Sequence, residues 1–410
     1  MIKVQNDLKF PPVIKGKISD IYPWIEMGQD HLDLIKFLLG FREYNQSILE
    51  SYFGTKSFYL LDSGKSAIYL CLKAIGVVAG DEVLIAAFNC PAILEAIVKT
   101  GATPCFVDIN DELGLEIASL KKAVNSRTRA VIATNLFGLV DDLESISKFC
   151  DENRLIFIND LAQTVETVGV SKKLNDFGDA SIYSFGPEKQ IFALGGGALV
   201  CRNNALNAQI ALISPKETVL FNEVLGVYFK RWKYYFTFFV LKYLRTSYSF
   251  FRTLGLVNNF SVNKYLFFEI ETVQPRIMHS LQQKVLSRNL LNLKDQLFFN
   301  SINFEYLKKN INIKIFGSKF DNLLYATMML EAGSRFDLSE CLAKNGVQTV
   351  WNYIPLYYGK GFEGAKKLYN TEKIWTKVLS IPFRYPLKHK RVEEITGIIN
   401  SYFKNGNFTN

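Results

Sequence analysis

Apolar and polar positions along residues 57–202 predict short strands separated by helices. Runs of apolar and β-branched residues bounded by turn signals predict strands at 57–61, 82–86, 103–107, 129–134, 155–158, 180–185 and 198–201. Helical patterns lie between them at 67–74, 91–99, 115–124 and 142–150. Continuous apolar strands that alternate with helices are typical of a parallel sheet covered on both faces. We therefore predict an α/β fold with a large, mostly parallel sheet of seven strands sandwiched by helices.

The remaining sequence predicts a second, smaller domain. A chain of 410 residues is longer than one hydrophobic core usually spans. After residue 300, strand-like pieces at 311–316 and 323–328 and helical patterns at 338–344 and 391–400 favour an α+β domain. We expect an N-terminal arm over 1–50, a large domain over 51–215, a helical insert and connection over 216–290 and a small C-terminal domain over 291–410.

The insert contains a segment that is both aromatic and basic. Residues 225–254 interleave Phe, Tyr and Trp with lysines and arginines, and their longest charge-free run, 234–241, is too short to cross a bilayer. One interpretation is an amphipathic helix that packs on its own protein or on a second subunit. The other is a helix that lies on an anionic membrane surface.

Composition and charge narrow the function classes. Apolar residues at 49% and charged residues at 21% are typical of a globular protein, and the net charge of +9 favours anionic partners. Nucleic acid is not expected, because no DNA- or RNA-reading motif accompanies this charge. The six cysteines and three histidines show no metal-ligand or disulfide spacing, and the first residues lack a secretory apolar core. We expect no metal site and a reducing, cytoplasmic location.

Polar residues follow several of the predicted strands, where open α/β sheets bind ligands. Residues 62–66 connect a strand to a helix, and Gly64 allows a tight turn whose free N–H groups favour a phosphate. Small residues also begin helices merely as caps, and the chain lacks the GxxxxGK[ST] and GxGxxG patterns of nucleotide-binding loops.

Residues with reactive side chains follow two further strands. Asp160 follows an apolar strand, where a carboxylate needs a cation such as a protonated ring nitrogen of a cofactor, unless it only caps a helix. Lys189 follows Ser184 after the next strand, and a lysine near an anion site can lose its proton and condense with a carbonyl. Ser184 can donate to the phosphate that the Gly64 turn binds. An isolated lysine would be a solvated surface residue, but three such elements in order favour a site.

The same motifs resemble the DegT/StrS-type aminotransferases, which are fold-type-I enzymes that use pyridoxal 5′-phosphate (PLP). Family patterns match in order and spacing over about 50–205. They are SGT-A-A-L at 63–68, GDEV at 80–83, GA-x-P-x-x-x-D at 101–108, T-R/K-A-I at 128–131, D-x-A-Q at 160–163 and SF-x-x-x-K at 184–189. Beyond residue 290 the resemblance is weaker, and residues 381–383 are similar to the L-P-L segment of the family's small domain.

The resemblance implies roles for individual residues. Lys189 would form the Schiff base with PLP and shuttle a proton, while Asp160 would pair with the pyridinium nitrogen. Gln163 would lie against the polar edge of the ring. The phosphate would be bound by Gly64, Lys65, Ser66 and Ser184. Gln274, reaching across from a partner subunit, would take the place of the family's asparagine, and Arg276 would hold an anionic group of the substrate.

Three positions depart from the family pattern. The ring-stacking position, usually aromatic, is Cys90, and Phe88 is the alternative platform. Lys65 stands where the family has threonine and adds a positive charge beside the phosphate. Asn135 replaces the family's histidine and is expected to contact the substrate in a different way.

The resemblance implies a PLP-dependent aminotransferase that moves an amino group, from glutamate, to a nucleotide-linked keto-sugar for surface polysaccharide or aminosugar biosynthesis. It also implies a cytoplasmic homodimer. Two alternatives remain open. One is a PLP-dependent sugar dehydratase-type enzyme, and the other is a PLP-binding non-enzyme that is attached to a membrane through residues 225–254.

Overall fold

The computed structural model describes residues 27–41, 44–165, 173–186, 189–244, 273–317, 323–331, 334–347, 349–351, 353–359, 361–362, 364–383 and 387–404. Residues 1–26 of the expected N-terminal arm and 245–254 of the aromatic segment lie outside this description. In the helix Phe221–Leu244, the side chains of Arg231 and of the residues after Lys233 also lie outside this description.

The centre of the molecule is a seven-stranded sheet, as predicted. Its strands are β1 Phe58–Leu61, β2 Glu82–Ala86, β3 Thr103–Val107, β4 Thr128–Thr134, β5 Ile156–Asp160, β6 Ala180–Ser184 and β7 Gly197–Cys201. Their spatial order is β1-β7-β6-β5-β4-β2-β3. Strands β2 to β6 pair in parallel, whereas β7 is antiparallel to both β1 and β6.

Both faces of this sheet are covered by helices, because successive strand residues point to opposite sides. On one face, Val83 and Ile85 join a buried cluster with helices α3 Gly64–Ala74, α4 Ala92–Thr100 and α7 Asn204–Ile213. On the other face, Leu84 and Ala86 belong to a cluster that includes α5 Ile117–Ala123 and α6 Leu143–Asn153. This two-sided burial explains why the strands appear in the sequence as continuous apolar runs.

Four helices flank the sheet on the side of β1. They are α1 Met27–Leu38, α2 Gln46–Phe53, α8 Phe221–Leu244 and α9 Ser280–Leu291. Phe37 of α1 stacks on Phe221 of α8 at 5.5 Å between ring centroids. The Arg288 guanidinium of α9 lies 2.6 Å from Asp30 and 2.8 Å from Asp33 of α1. None of the helices within the described ranges combines the length and apolarity that crossing a bilayer requires.

The chain between β7 and α9 leaves and rejoins the sheet at one place. The Val219 N–H donates to the Ile277 carbonyl at 2.9 Å, and the Ile277 N–H donates to the Glu217 carbonyl at 2.7 Å. Ile277 also forms a bridge with Leu61 at the end of β1. Residues 218 and 277 are therefore neighbours, although the chain between them contains α8.

A second, two-stranded sheet follows, with β8 Tyr325–Met329 antiparallel to β9 Val378–Pro382. Helices α10 Leu293–Asn310, α11 Ser334–Lys344, α12 Tyr369–Trp375 and α13 His389–Lys404 accompany it. The expected strand over 311–316 is wrong. In place of a regular strand, Ile315 forms an isolated bridge with Met328, beside hydrogen bonds of 2.9 Å from the Phe316 N–H to the Thr327 carbonyl and from the Met329 N–H to the Lys314 carbonyl.

Three contacts fix this second sheet and its neighbouring segments at the carboxyl edge of the large sheet. Asp108, after β3, accepts hydrogen bonds from the N–H groups of Asn370 and Thr371 at 2.8 Å. The Leu324 N–H donates to the carbonyl of Phe137, after β4, at 2.8 Å, and the Leu356 N–H donates to the carbonyl of Ala87, after β2, at 2.8 Å. The strand ends that carry the predicted site residues are thus bordered by residues from the second half of the chain.

Candidate active site

The first part of the site is the turn between β1 and α3. Ser63 is the N-cap of α3, and its Oγ accepts a hydrogen bond from the Ser66 N–H at 3.1 Å and donates to the Ser66 Oγ at 3.0 Å. The N–H groups of a first helical turn have no partner within the helix, and the helix dipole places partial positive charge there. The turn can therefore bind an anion such as a phosphate.

Ser184 lies beside this turn, as the sequence predicts. A Cβ atom on Gly64 would lie only 3.1 Å from Ser184 Cβ and 3.3 Å from the Tyr183 carbonyl oxygen. A Cβ on Gly197 would lie 2.4 Å from the Gly64 nitrogen. The close approach follows from the antiparallel β7, which pairs Gly197 with Ser184 and lies between β1 and β6. Gly197 is required here because a Cβ would overlap backbone atoms, and a Cβ at Gly64 would be tighter than ordinary contact.

The ammonium group of Lys65 is paired with a carboxylate of the following helix. Its Nζ lies 2.5 Å from Glu95 Oε2 on α4, and both side chains are mostly buried. Only the side chain is engaged in this way, and the backbone of Lys65 remains in the first turn of α3. The structure therefore places an ion pair next to the anion-binding turn, where the sequence predicts a phosphate ligand.

Asp160 is buried at the carboxyl end of β5 and is held by two donors. Its Oδ1 accepts from the Ala162 N–H at 2.9 Å, and its Oδ2 accepts from the Thr134 hydroxyl at 3.2 Å. Burial raises the pKa of Asp160, while the Ala162 hydrogen bond, the positive charge of Lys189 and the Thr134 hydrogen bond oppose that rise. The carboxylate is thus oriented by neutral donors and lies within electrostatic reach of Lys189.

Lys189 and Ser184 lie on either side of Gly186, and Lys189 is within electrostatic reach of Asp160. A Cβ on Gly186 would be 3.9 Å from both Lys189 Cγ and Ser184 Oγ, and the Lys189 N–H donates to the Gly186 carbonyl at 3.1 Å. The structure therefore brings together the lysine, the carboxylate and the serine that sequence analysis selected at separate strand ends.

Of the two candidate ring platforms, Cys90 borders this cluster and Phe88 does not. Phe88 is fully buried and packs edge-on against Phe137 and Tyr353 at 6.2 Å. Cys90 is half-buried. Burial raises the pKa of the Cys90 thiol, and the charge of Lys189 and a hydrogen bond from Tyr353 oppose that rise. Cys90 therefore lies within electrostatic reach of Lys189, whereas Phe88 belongs to the core behind it.

Gln163 is buried and both ends of its amide are engaged. Its Oε1 accepts from the Phe137 N–H at 3.1 Å, and its Nε2 donates to the Tyr353 hydroxyl at 2.9 Å. Tyr353 comes from the second half of the chain, 190 residues after Gln163. The orientation of Gln163 is therefore determined by contacts that its own sequence motif does not include.

The predicted substrate contact at Asn135 does not agree with its position. Asn135 is fully buried, its Nδ2 donates to Asn159 Oδ1 at 2.8 Å and to the Asp160 carbonyl at 3.1 Å, and its Oδ1 accepts from the Asp141 N–H at 3.0 Å. An amide that is saturated and enclosed in this way orients the strand ends around it and leaves no atom for a substrate.

Gln274 and Arg276 lie on the segment that pairs with the end of β1. Gln274 is exposed, and its predicted contact across a subunit boundary remains a prediction. The Arg276 guanidinium forms a bidentate ion pair with Glu223 at 2.7 and 2.8 Å. The backbone N–H of Arg276 donates to Asp62 Oδ1 at 3.2 Å. Glu223 raises the pKa of Arg276, and Arg276 lowers the pKa of Glu223. The anion that Arg276 holds in this structure is a side chain of the same protein.

Sequence analysis missed two kinds of residue at this site. Asn89 and Thr134 support Asp160, since the Asn89 Nδ2 donates to the Thr134 hydroxyl at 3.0 Å and that hydroxyl donates to Asp160. Both follow or end a strand, so inspection of every polar strand end would have found them. Tyr353 has no such local signal, because its place depends on how the second half of the chain packs.

Comparison with known proteins agrees with this geometry. Residues 42–226 match the sequence model of the DegT/DnrJ/EryC1/StrS aminotransferase family. The chain is thus similar to that family over a range that is somewhat less than half of its length. The family resemblance inferred from the motifs is thereby confirmed, and the matched range contains the turn at Gly64, Asp160 and Lys189.

Individual relatives are similar over the same region. A GDP-perosamine synthase of Vibrio cholerae is 34% identical over 147 residues, which are 36% of this chain and 40% of that protein. A UDP-N-acetyl-3-dehydro-alpha-D-glucosamine 3-aminotransferase of Acidithiobacillus ferrooxidans is 35% identical over 144 residues, which are 35% of this chain and 39% of that protein. The chain thus matches about two fifths of the length of these curated relatives.

The fold is similar over nearly the whole chain. The crystal structure of NtdA from Bacillus subtilis with bound cofactor PMP has a TM-score of 0.70 at 19% identity, and the match covers 96% of this chain and 86% of that chain. This confirms the predicted fold-type-I architecture, with its large sheet and smaller second unit.

Proposed function

We propose that this chain is a PLP-dependent aminotransferase. The observation that carries the proposal is the convergence of Lys189, Asp160 and Ser184 beside the N-terminus of α3. A lysine, a buried carboxylate and a phosphate-sized anion site are the three groups that PLP needs, for its aldehyde, its ring nitrogen and its phosphate.

The residues present fit this cofactor. A Cβ on Gly197 would lie 2.4 Å from the Gly64 nitrogen, and one on Gly64 would be tight against Ser184, so the first turn of α3 and the Ser184 side chain are close enough to bind one anion. Asp160 is buried between two neutral donors, so a protonated ring nitrogen would compensate the cost of its charge. Gly64, Lys65, Ser66 and Ser184 would hold the phosphate. Cys90 would border the ring, and Gln163 would lie against its polar edge.

When bound, PLP supplies an electron sink for a negative charge that develops on the amino-bearing carbon of the substrate. The Asp160 carboxylate keeps a proton on the ring nitrogen, and the Thr134 hydroxyl and the Ala162 N–H hold that carboxylate in place. The Lys189 Nζ would remove a proton from the amino-bearing carbon of the amino donor and deliver it to the carbon derived from the cofactor aldehyde, on the other side of the shared nitrogen.

We propose a nucleotide-linked keto-sugar as amino acceptor and glutamate as amino donor, in the cytoplasmic synthesis of aminosugars for lipopolysaccharide or another surface polysaccharide. The names of the two relatives, a GDP-perosamine synthase and an aminotransferase of a UDP-linked dehydro-sugar, support the acceptor. The homodimer is part of this proposal, with Gln274 reaching the partner's site. Arg276 would bind an anionic group of the substrate only after leaving Glu223.

A sugar dehydratase of the same cofactor class is the alternative reaction. In some relatives a histidine replaces the lysine, and the presence of Lys189 favours transamination. The half-reaction with glutamate separates the two, because only an aminotransferase releases 2-oxoglutarate from it in stoichiometric amount.

Absorbance of the purified chain tests the cofactor. We expect a visible band after incubation with PLP that Lys189→Ala lacks, and borohydride reduction should attach the pyridoxyl group to Lys189 alone in peptide mapping. Lys173, which is half-buried and donates to backbone carbonyls of α2, provides the matched control as Lys173→Ala. A wild-type chain that takes up no PLP contradicts the proposal.

Peripheral membrane contact through residues 225–254 is a second candidate property. Phe229 and Trp232 are exposed on α8 beside the exposed Lys230 and Lys233. Aromatic and basic side chains together favour an anionic lipid surface.

A further inference from the structure

Tyr353 connects the candidate cofactor site to the second half of the chain. It precedes the short 3₁₀ helix Leu356–Tyr358, and its ring stacks on Phe137 at 5.9 Å with an angle of 16° between the planes. The edge of Phe88 meets it at 6.2 Å. These ring contacts hold the hydroxyl of Tyr353 between Gln163 and Cys90.

The hydrogen bonds through Tyr353 run in one direction. The Phe137 N–H donates to Gln163 Oε1, so the opposite end of that amide is its NH₂ group, which donates to the Tyr353 oxygen at 2.9 Å. The hydroxyl proton of Tyr353 is then left for another acceptor. Burial raises the pKa of the nearby Cys90 thiol, and the hydroxyl lowers it, after Lys189 and the Ala92 N–H. The Phe137 N–H therefore determines which end of the Gln163 amide faces the Tyr353 hydroxyl.

This chain of hydrogen bonds ends at the position where relatives carry an aromatic ring. A thiol is smaller than a ring and rotates about one bond, so it needs a partner to keep one orientation. The Ala92 N–H and the hydroxyl of Tyr353 both favour the thiolate of Cys90, so the hydroxyl acts beside a backbone donor. It also fixes Gln163, the other residue expected against the cofactor ring.

We propose that Tyr353 is a positioning residue of the cofactor site, which holds the Cys90 thiol and the Gln163 amide toward the place of the pyridine ring. The inference rests on the proposed function, since it assumes that the ring binds there. Because Tyr353 belongs to the segment bonded to Ala87 through Leu356, the packing of the second half of the chain becomes part of cofactor binding.

Tyr353→Phe tests this role, because it keeps the stacked ring and removes only the hydroxyl. Tyr358→Phe is the matched control. Tyr358 lies on the adjacent 3₁₀ helix, and its hydroxyl donates to Glu372 at 2.9 and 3.0 Å, without a contact to Gln163 or Cys90 in the described residues.

The first measurement needs no cofactor. The rate of Cys90 alkylation by iodoacetamide is followed from pH 6 to 10 by peptide mass mapping, which separates Cys90 from the other cysteines. Loss of the Tyr353 donor disfavours the thiolate, so we expect the profile of Tyr353→Phe to move to higher pH and the rate at pH 8 to fall about three- to tenfold. Tyr358→Phe should match the wild type.

The second measurement is PLP binding by absorbance titration. We expect Tyr353→Phe to weaken the Kd for PLP about three- to tenfold and to shift the visible band, and Cys90→Ala to remove part of this difference in the double variant. Unchanged alkylation and PLP binding in Tyr353→Phe, or equal changes in Tyr358→Phe, overturn the role of Tyr353. A wild type that binds no PLP overturns the proposed function instead.

Discussion

The Nζ of Lys65 lies 2.5 Å from Oε2 of Glu95, so the charge that the sequence places in the anion-binding turn is neutralised by the helix that follows Cys90. The two residues are 30 positions apart. A phosphate that binds at α3 therefore competes with Glu95 for the same ammonium group.

Removing the Glu95 charge should strengthen phosphate binding. We expect Glu95→Gln to lower the Kd for inorganic phosphate and for PLP about two- to fivefold, because Lys65 becomes available to the anion. Titrations at two salt concentrations measure this, since the gain should shrink as salt screens the charge. Glu112→Gln, which breaks the exposed pair with Lys314, has the same charge change and should have no effect. A gain that persists in Lys65→Thr/Glu95→Gln would contradict the role of Lys65.

Asp160→Asn should raise the thermal stability of the cofactor-free protein at pH 7 and lower catalytic activity. Burial raises the pKa of Asp160 above its value in the unfolded chain, so the native state loses stability as the pH rises through that raised pKa. The neutral variant avoids this loss, and the cofactor-free protein should unfold at least about 2 °C higher at pH 7 but not at pH 4. Turnover should fall by a factor of at least about 100. Thermal unfolding across this pH range measures the first effect, and a lower Tm at pH 7 would contradict it.

Gly197→Ala should disrupt the anion-binding turn from a neighbouring strand. The new Cβ would lie 2.4 Å from the Gly64 nitrogen and the Ser63 carbonyl carbon, which are backbone atoms that cannot rotate away. We expect a loss of about 1–3 kcal/mol in the free energy of unfolding and loss of PLP retention. Gly226→Ala on α8 is the control, since nothing lies within 4 Å, and it should gain up to about 1 kcal/mol. Urea denaturation of both variants provides the comparison.

Asp108→Ala should loosen the contact between the two sheets. The carboxylate accepts the N–H groups of Asn370 and Thr371 and the Thr371 hydroxyl, all at 2.8 Å. We expect a loss of about 3 kcal/mol, measured by urea denaturation. Asp111→Ala, three residues later and exposed, should stay within about 0.5 kcal/mol of the wild type. Equal stability of the two variants would show that Asp108 does not hold α12.

Vesicle flotation tests the membrane candidate. If α8 contacts anionic lipid, wild-type protein should float with phosphatidylglycerol vesicles, and Lys230→Glu/Lys233→Glu should lose most of that binding, since each basic residue near the surface contributes about 1 kcal/mol. Lys121→Glu/Lys122→Glu on the exposed side of α5 is the charge-matched control. Wild-type protein that stays at the bottom of the gradient removes this candidate.

Strands were the most predictable part of the structure. Each strand of the large sheet lies within one or two residues of its predicted range, because burial on both faces leaves a continuous apolar run such as 82–86. The direction of β7 was not predictable from such a run, since an apolar strand has the same composition in either direction. The prediction of a strand over 311–316 was wrong because the isoleucines of this segment pack in the core without forming a regular strand.

The position of a candidate residue was predictable where it follows a strand of the large sheet, as with Asp160 and Lys189, while their functions stay predictions. It was not predictable where the partner comes from a distant element. Asn135 resembles an exposed polar strand end in the sequence, and only the structure shows that Asn159 and the Asp141 N–H enclose it. Tyr353 and Glu95 depend in the same way on packing between segments.

The neighbouring positions of residues 218 and 277 have an evolutionary consequence. A stretch of chain whose two ends meet at one bridge can be lengthened, shortened or exchanged without displacing any strand of the main sheet. Chains that share this sheet can thus differ in the segment between these two residues, and α8 with its exposed aromatic and basic residues is the segment that this protein carries.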